Sequence, residues 1–299
     1  MLKGSQFLTL FVFVSLLLGC GQKQPVANSK GDEKDVESQE KFVLPPLPKS
    51  VEFAGQTIEI DNFDLKERLD KELIVNTFYH SSTIQGFKRA NKYFGQLERI
   101  LKENDIPEDF KYLCLIESGL TQAVSPSGAK GFWQFMPATA KEYGLLVNDQ
   151  IDERLHIEKS TRAACEYLKD ANSQFNDWVL TAASYNRGVN GISNDLEKQK
   201  VNSYFDLHLN NETSRYVFRI LALKIIFENP EIYGFDPESM ELYESVPSKL
   251  ITVTESIPDL IEWSNVQGTT YHMVKTLNPW IKGSKLTIGS GEFKIRVPK

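Results

Sequence analysis

Phe110-Lys111-Tyr112-Leu113-Cys114-Leu115-Ile116-Glu117-Ser118-Gly119 reads as a short helix that ends in a glycine. Phe110, Leu113, Cys114 and Glu117 recur at i, i+3, i+4 and i+7, so one helical face carries three apolar residues and a carboxylate. Gly119 supplies the left-handed cap that stops the helix. Glu117 therefore falls in the final turn, where the negative end of the macrodipole disfavours an anion. Apolar surroundings and the dipole both oppose ionisation. The spacing predicts a raised pKa and a protonated acid near neutrality, able to give a proton to a leaving oxygen. The competing reading is a partly exposed glutamate bonded to a loop amide.

Outward from this segment the pattern stays helical. Apolar residues recur at three and four spacing over 65–78 and 87–101, and further helices read over 137–143, 158–175 and 212–228. Asp177 caps a helix that runs to Asn186 and stops at Gly188, and Asn229-Pro230 ends the last long helix. From about residue 250 the character changes. Ile251 and Val253 alternate, short helices read over 258–265 and 271–277, and residues 293–297 alternate again, giving a small β-α-α-β unit. The expected fold class is mainly α, a helical domain over 57–245 followed by a small mixed module over 246–299.

Composition narrows the function. In 299 residues, 34 Lys and Arg face 40 Asp and Glu for a formal net charge of −6, which argues against a nucleic-acid partner. Three cysteines cannot build a disulfide framework, and nucleotide-loop and zinc-protease signatures are missing from the sequence. No cofactor or metal is expected. His80, His156, His208 and His272 are scattered, and Cys114 and Cys165 read as buried thiols. At the other end, residues 7–18 form an apolar run too short to span a bilayer, followed by Leu17-Leu18-Gly19-Cys20. Residues 20–56, rich in Gln, Ser, Lys, Glu and Pro, read as a flexible tether.

Two further stretches carry candidate site residues. Residues 125–140 (SPSGAKGFWQFMPATA) are turn-rich, then aromatic, then helical. Phe132, Trp133, Phe135 and Met136 around Gln134 could line a sugar-binding groove, or else plug the core. Ala182-Ala183-Ser184-Tyr185-Asn186-Arg187-Gly188 places Tyr185 and Asn186 at a helix end, where a hydrogen-bonded cap is the plainer role.

Glu117-Ser118, the Gly-x-x-Gln-x-Met-Pro-x-Thr-Ala of 131–140 and Ser184-Tyr185-Asn186 together resemble the motifs of family 1 lytic transglycosylases, with the closer resemblance to the membrane-bound lytic murein transglycosylase D group. The resemblance runs from about residue 60 to 243. It implies a lysozyme-like helical domain and cleavage of the MurNAc-β-1,4-GlcNAc bond of peptidoglycan glycan strands without water, leaving 1,6-anhydro-MurNAc ends. It also implies Glu117 as the catalytic acid and Ser125, Gln134, Met136, Tyr185 and Asn186 as substrate contacts. Ser184 stands where the family has Ala, and Phe132-Trp133 departs from its usual pair. The start resembles a lipoprotein signal peptide over 1–19 with Cys20 as the lipidated residue, implying a periplasm-facing outer-membrane anchor. The tail resembles a degenerate LysM module whose Gly-Asp-Thr turn is replaced by Thr254-Glu255-Ser256, and whose Trp263 and Trp280 could be core or sugar-binding. Most glycosidases need two carboxylates. Residues 118–141 and 178–194 contain no Asp or Glu, which suits a one-acid mechanism. Glu142 or Asp152 folding into the cleft would allow a hydrolytic muramidase instead, and a catalytically silent wall binder is the third alternative.

Overall fold

Asn62 accepts a hydrogen bond from the amide of Leu65 and so opens the first helix of a computed structural model that describes residues 44–289 and 291–299. The signal segment 1–19, Cys20 and the first part of the expected tether lie outside the described residues. Eight helices build the main body: α1 (Phe63–Phe78), α2 (His80–Glu103), α3 (Phe110–Ser118), α4 (Pro137–Glu142), α5 (Ile157–Phe175), α6 (Trp178–Arg187), α7 (Val189–Gln199) and α8 (Asn211–Glu228). α8 is the hub. Val217, Phe218, Ile220, Leu221, Ala222 and Ile226 are fully buried on it, the pattern of a helix enclosed on nearly all sides. α1, α3 and α6 pack against it.

The tether expectation fails over its last residues. Ser50–Phe53 (β1) and Gln56–Glu59 (β2) form an antiparallel hairpin, with Val51 opposite Ile58 and Phe53 opposite Gln56. Ala54 and Gly55, both at positive φ, make the tight turn that such hairpins need. Val51, Phe53, Ile58 and Ile60 alternate and are all buried, a period-two signal that the polar average of the surrounding residues conceals. Phe53 packs its ring 5.7 Å from Phe110, and the Ala54 amide donates to Asp109 at 2.6 Å. The hairpin thus seats the start of α3.

Two helices differ from expectation. α2 begins at His80 rather than 87, and α7 follows α6 directly, because Gly188 at φ 80° turns the chain without ending the helical region. Expected helices elsewhere agree to within a residue or two with those observed.

The tail forms β3 (Ser248–Val253), α9 (Leu260–Val266), α10 (Tyr271–Leu277) and β4 (Phe293–Pro298), with β3 and β4 antiparallel. Its core includes Leu260, Val274, Trp280, Ile281, Ile295 and Val297, joined by Ile151 from the main body. Trp280 is a core residue. It stacks on Phe293 and meets His156 at 5.7 Å. The module is fastened at 148–152: the Asp152 amide donates to the Trp280 carbonyl, the Lys282 amide to the Gln150 carbonyl, and Gln150 bonds Thr287 twice.

Removing the Phe53 ring should leave a cavity under α3. Phe53→Ala is expected to lower unfolding free energy by about 3–5 kcal/mol in urea titration. A loss below about 1 kcal/mol would show that the hairpin is not part of the cooperative core.

Candidate active site

Glu117 sits where the helical spacing places it. Phe110, Leu113 and Cys114 on its face are buried, and Gly119 caps α3 at φ 59°, its amide donating to Leu115. Burial raises the Glu117 pKa above the usual carboxylate range, and the charge of Glu212 adds to the rise. The Tyr216 hydroxyl, which donates to Glu117 Oε1, and the Arg219 guanidinium oppose it. Burial wins. Tyr216 itself is buried, and its hydroxyl is pushed well above its ordinary pKa by burial and by the neighbouring Glu117 charge. It therefore stays a proton donor to the carboxyl.

Tyr216 lies 99 residues from Glu117, and several ties fix it there. Arg215, its neighbour on α8, forms a two-point ion pair with Glu72 of α1, at 2.5 and 3.1 Å, in which Glu72 is buried. Arg68 bonds the Ser214 carbonyl at 2.7 Å and lies over the Phe218 ring. Lys224, farther along α8, reaches Asp109 at 2.7 Å. α1 and α8 are thereby registered against α3. Breaking one side of such a buried pair strands the other charge, so these ties hold position as much as they add stability.

The other expected residues lie between α3 and α4 (Ser125, Gln134 and Met136) and on α6 (Tyr185 and Asn186), in roles that differ among them. Ser125 Oγ accepts from the Ala129 amide at 2.9 Å inside a tight turn. Gln134, at φ 47°, donates its amide nitrogen to the carbonyls of Ala123 and Gly131, at 3.1 and 2.8 Å. Its Oε1 has no partner among the described residues. Met136 is 42% exposed. The aromatic triplet is a core plug and not a groove wall: Phe132, Trp133 and Phe135 are buried, and Trp133 donates to Thr161 at 2.9 Å. Tyr185 lies in the same electrostatic cluster as Glu117, and burial followed by the Glu117 charge pushes its hydroxyl well above ordinary. That hydroxyl donates to the Trp133 carbonyl at 2.7 Å and pins the loop to α6. Asn186 bridges α6 to α8, its Nδ2 donating to Glu212 at 3.3 Å and its Oδ1 accepting from Thr213 at 2.8 Å.

The acids weighed as second carboxylates fall elsewhere. Asp152 is buried in a two-point pair with Arg154, both contacts 2.8 Å, with Lys130 at 3.4 Å. Burial pushes its pKa up, yet Arg154 and Lys130 outweigh this and hold it below the usual range. It is a locked ion pair. Glu142 is exposed at the end of α4. Tyr216 and Glu212 are the residues the sequence reading passed over as site members, although both stand within the span of about 60 to 243 over which the resemblance runs.

The loop between α3 and α4 is shaped by Arg154 and Gln122. Arg154 Nη1 donates to the carbonyls of Gly128 and Phe135, at 2.8 and 3.1 Å, and Gln122 to that of Leu155 at 3.0 Å. Gly131, at φ 80°, passes so close that an added Cβ would lie 2.0 Å from the Arg154 carbonyl oxygen.

Residues 97–207 match the transglycosylase SLT domain, and residues 249–299 the soluble lytic transglycosylase C-terminal LysM-like domain. The helical body is built on an SLT domain. It is mainly helical. The chain is homologous to membrane-bound lytic murein transglycosylase D of Escherichia coli strain K12, with 28% identity over 83% of this chain. It spans about half (55%) of that relative's length. A putative tributyltin chloride resistance protein of Alteromonas sp. strain M-1 is 30% identical over 116 residues, 37% of this chain and 56% of its own. Among solved structures, the 70 kDa soluble lytic transglycosylase of Escherichia coli aligns with TM-score 0.41 and 21% identity, covering 60% of this chain and 29% of its own. An inactive mutant of the Pseudomonas aeruginosa lytic transglycosylase Slt aligns with TM-score 0.37 and 22% identity, covering 48% and 25%. The SLT domain match ends before α8, so Glu117 lies inside it and Tyr216 outside.

Gly131→Ala combines a forbidden contact with a left-handed backbone. We expect it to lower the thermal midpoint sharply, at a cost of about 2 kcal/mol or more, whereas Gly128→Ala, with open space around the added carbon, carries only the backbone part. Equal midpoints for the two variants would refute the Arg154 template.

Proposed function

We propose that the protein is a peptidoglycan lytic transglycosylase that cleaves the MurNAc-β-1,4-GlcNAc bond without water. The observation in the site that carries this reading is the half-buried Glu117, with a raised pKa, held by Tyr216 at the end of α3. Protonated Glu117 gives its proton to the glycosidic oxygen as the bond to the muramoyl C1 breaks. The substrate's 2-acetamido group stabilises the positive C1. Glu117, now a carboxylate, takes the proton of the C6 hydroxyl as that oxygen bonds C1 and closes the 1,6-anhydro ring. Proton and electron pair both balance, and no water is consumed. Tyr216 donates throughout, which eases the carboxylate stage, and the Arg219 guanidinium adds to that effect.

In this reading Gln134 Oε1, the Ser125 hydroxyl and Met136 meet the glycan. Tyr185 and Asn186 act by holding the loop and α8 in place. The SLT domain and the homology to lytic murein transglycosylases support the reaction class. Glu212 is the observation that favours a hydrolytic variant, since it is the other acid whose charge reaches Glu117, although its tie to Asn186 gives it a structural role already.

We infer further that Cys20 carries a lipid and holds the enzyme on the outer membrane facing the periplasm, with residues from Cys20 to the hairpin as the tether and the tail as a separate module from about residue 246. The relative's designation as membrane-bound supports attachment. Among the described residues no helix is long and apolar enough to cross a membrane.

Glu117→Gln should abolish muropeptide release while leaving glycan binding measurable, as read by mass spectrometry of digested peptidoglycan. Anhydro products are one water lighter than hydrolysed ones, so the wild-type digest separates the two reactions. Turnover retained by Glu117→Gln would sink the role of the acid.

A further inference from the structure

Residues 150–156 (QIDERLH) set three charged side chains in a row, and Asp152, Glu153 and Arg154 are all buried. Buried ion pairs are costly to desolvate and often add little to stability, so position is what they can supply. Arg154 spends Nε and Nη2 on the Asp152 carboxylate and Nη1 on the carbonyls of Gly128 and Phe135. Lys130, between those two, reaches Asp152 at 3.4 Å. The loop that holds Ser125, Gln134 and Met136 is thus tied at three places, directly or through Arg154, to one carboxylate.

The backbone that aims this carboxylate is held by the C-terminal module. The Asp152 amide donates to the Trp280 carbonyl and the Lys282 amide to the Gln150 carbonyl, both at 2.8 Å, so Ile151 and Ile281 face each other as in an antiparallel ladder. Successive residues of such a strip point to opposite sides. Ile151 enters the core of the module, and Asp152 beside it turns back to Arg154 and the loop. A slip of one residue would exchange them and drive a carboxylate into an apolar core. Side chains brace the same register. Gln150 Nε2 donates to Thr287 Oγ1 at 3.1 Å, Gln150 Oε1 accepts from the Thr287 amide at 2.8 Å, and Lys282 Nζ donates to the Asn148 carbonyl at 2.8 Å.

We propose that Asp152 is a positioning residue for the reaction, through which the seating of the C-terminal module sets the shape of the loop between α3 and α4. This rests on the reaction proposed above and on the loop's contacts with the glycan. The module acts on catalysis as a brace for the site, apart from any glycan it binds itself. With the module unseated, the Asp152 amide and the Gln150 carbonyl lose their partners and Ile151 loses its apolar seat. The Asp152–Arg154 pair is then no longer held against Gly128 and Phe135. A sugar resting on the loosened loop is misaligned with Glu117, and small misplacements are costly in rate.

Gln150→Ala with Thr287→Val loosens the junction at two side chains outside both cores. In the full chain, the amides of Lys130 and Gly131, which donate to the Phe135 and Ala123 carbonyls, should exchange hydrogen faster, while those of α8 keep their protection. On glycan strands kcat/KM should fall about fivefold, mainly in kcat. Asp152→Asn should lower it further, and adding the junction pair to Asp152→Asn should cost nothing more, since both act on one network. Should Asp152→Asn fail to fold, exchange in the junction variant decides alone, and unmoved loop amides overturn the proposal. Additive losses, or a loss confined to KM with the loop amides unmoved, also overturn it, because the module would then act separately by holding glycan. Absence of anhydro products from the wild type would instead overturn the reaction, and the exchange measurement would still decide the coupling.

Discussion

The hydrogen bond from Tyr216 to Glu117 joins the two halves of this molecule. One partner stands at the end of a short apolar helix, where burial and the helix dipole work against a negative charge. The other stands near the start of the central helix, with a hydroxyl too buried to lose its proton. A carboxyl kept neutral by burial, with one neutral donor to receive it when it ionises, can give a proton and take it back. A salt bridge at the same place would fix the group as a carboxylate and remove the acid.

Much of the remaining architecture serves that bond. The Glu72–Arg215 pair and Arg68 register α8 against α1, Asn186 ties α6 to α8, and Phe53 packs on Phe110 at the root of α3. The loop between α3 and α4 is a separate assembly, shaped by Arg154 and fastened to α6 through Tyr185. Asp152, which orients Arg154 through its side chain, receives the tail through its backbone. The C-terminal module is therefore bonded to the segment that shapes the loop, with Trp280 committed to that junction.

How much of this the sequence disclosed depends on the range of the interaction. The position of Glu117, the cap at Gly119 and most helices are local patterns, and they are where periodicity places them. The hairpin over 50–59 was hidden because two alternating pairs of apolar residues sit within a polar stretch, and composition averages them away. The aromatic triplet marked the loop but left its face open, since sequence alone does not say whether Trp133 points to solvent or to Thr161. Tyr216 had no local signal at all as a partner of Glu117. Its role comes from a contact across 99 residues, and only the resemblance of the stretch around it could have drawn notice.

The central claim is that the Glu117 carboxyl is kept neutral by burial against the opposing pull of Tyr216 and Arg219. Carbon-13 NMR of the Glu117 side-chain carboxyl, titrated in the wild type and in Tyr216→Phe, tests it most directly. The account predicts a wild-type midpoint above the ordinary glutamate value of about 4.3 and a higher one still in Tyr216→Phe, because the lost donor had favoured the charged form. A wild-type midpoint at or below that of a free glutamate, or a downward move in Tyr216→Phe, would contradict it.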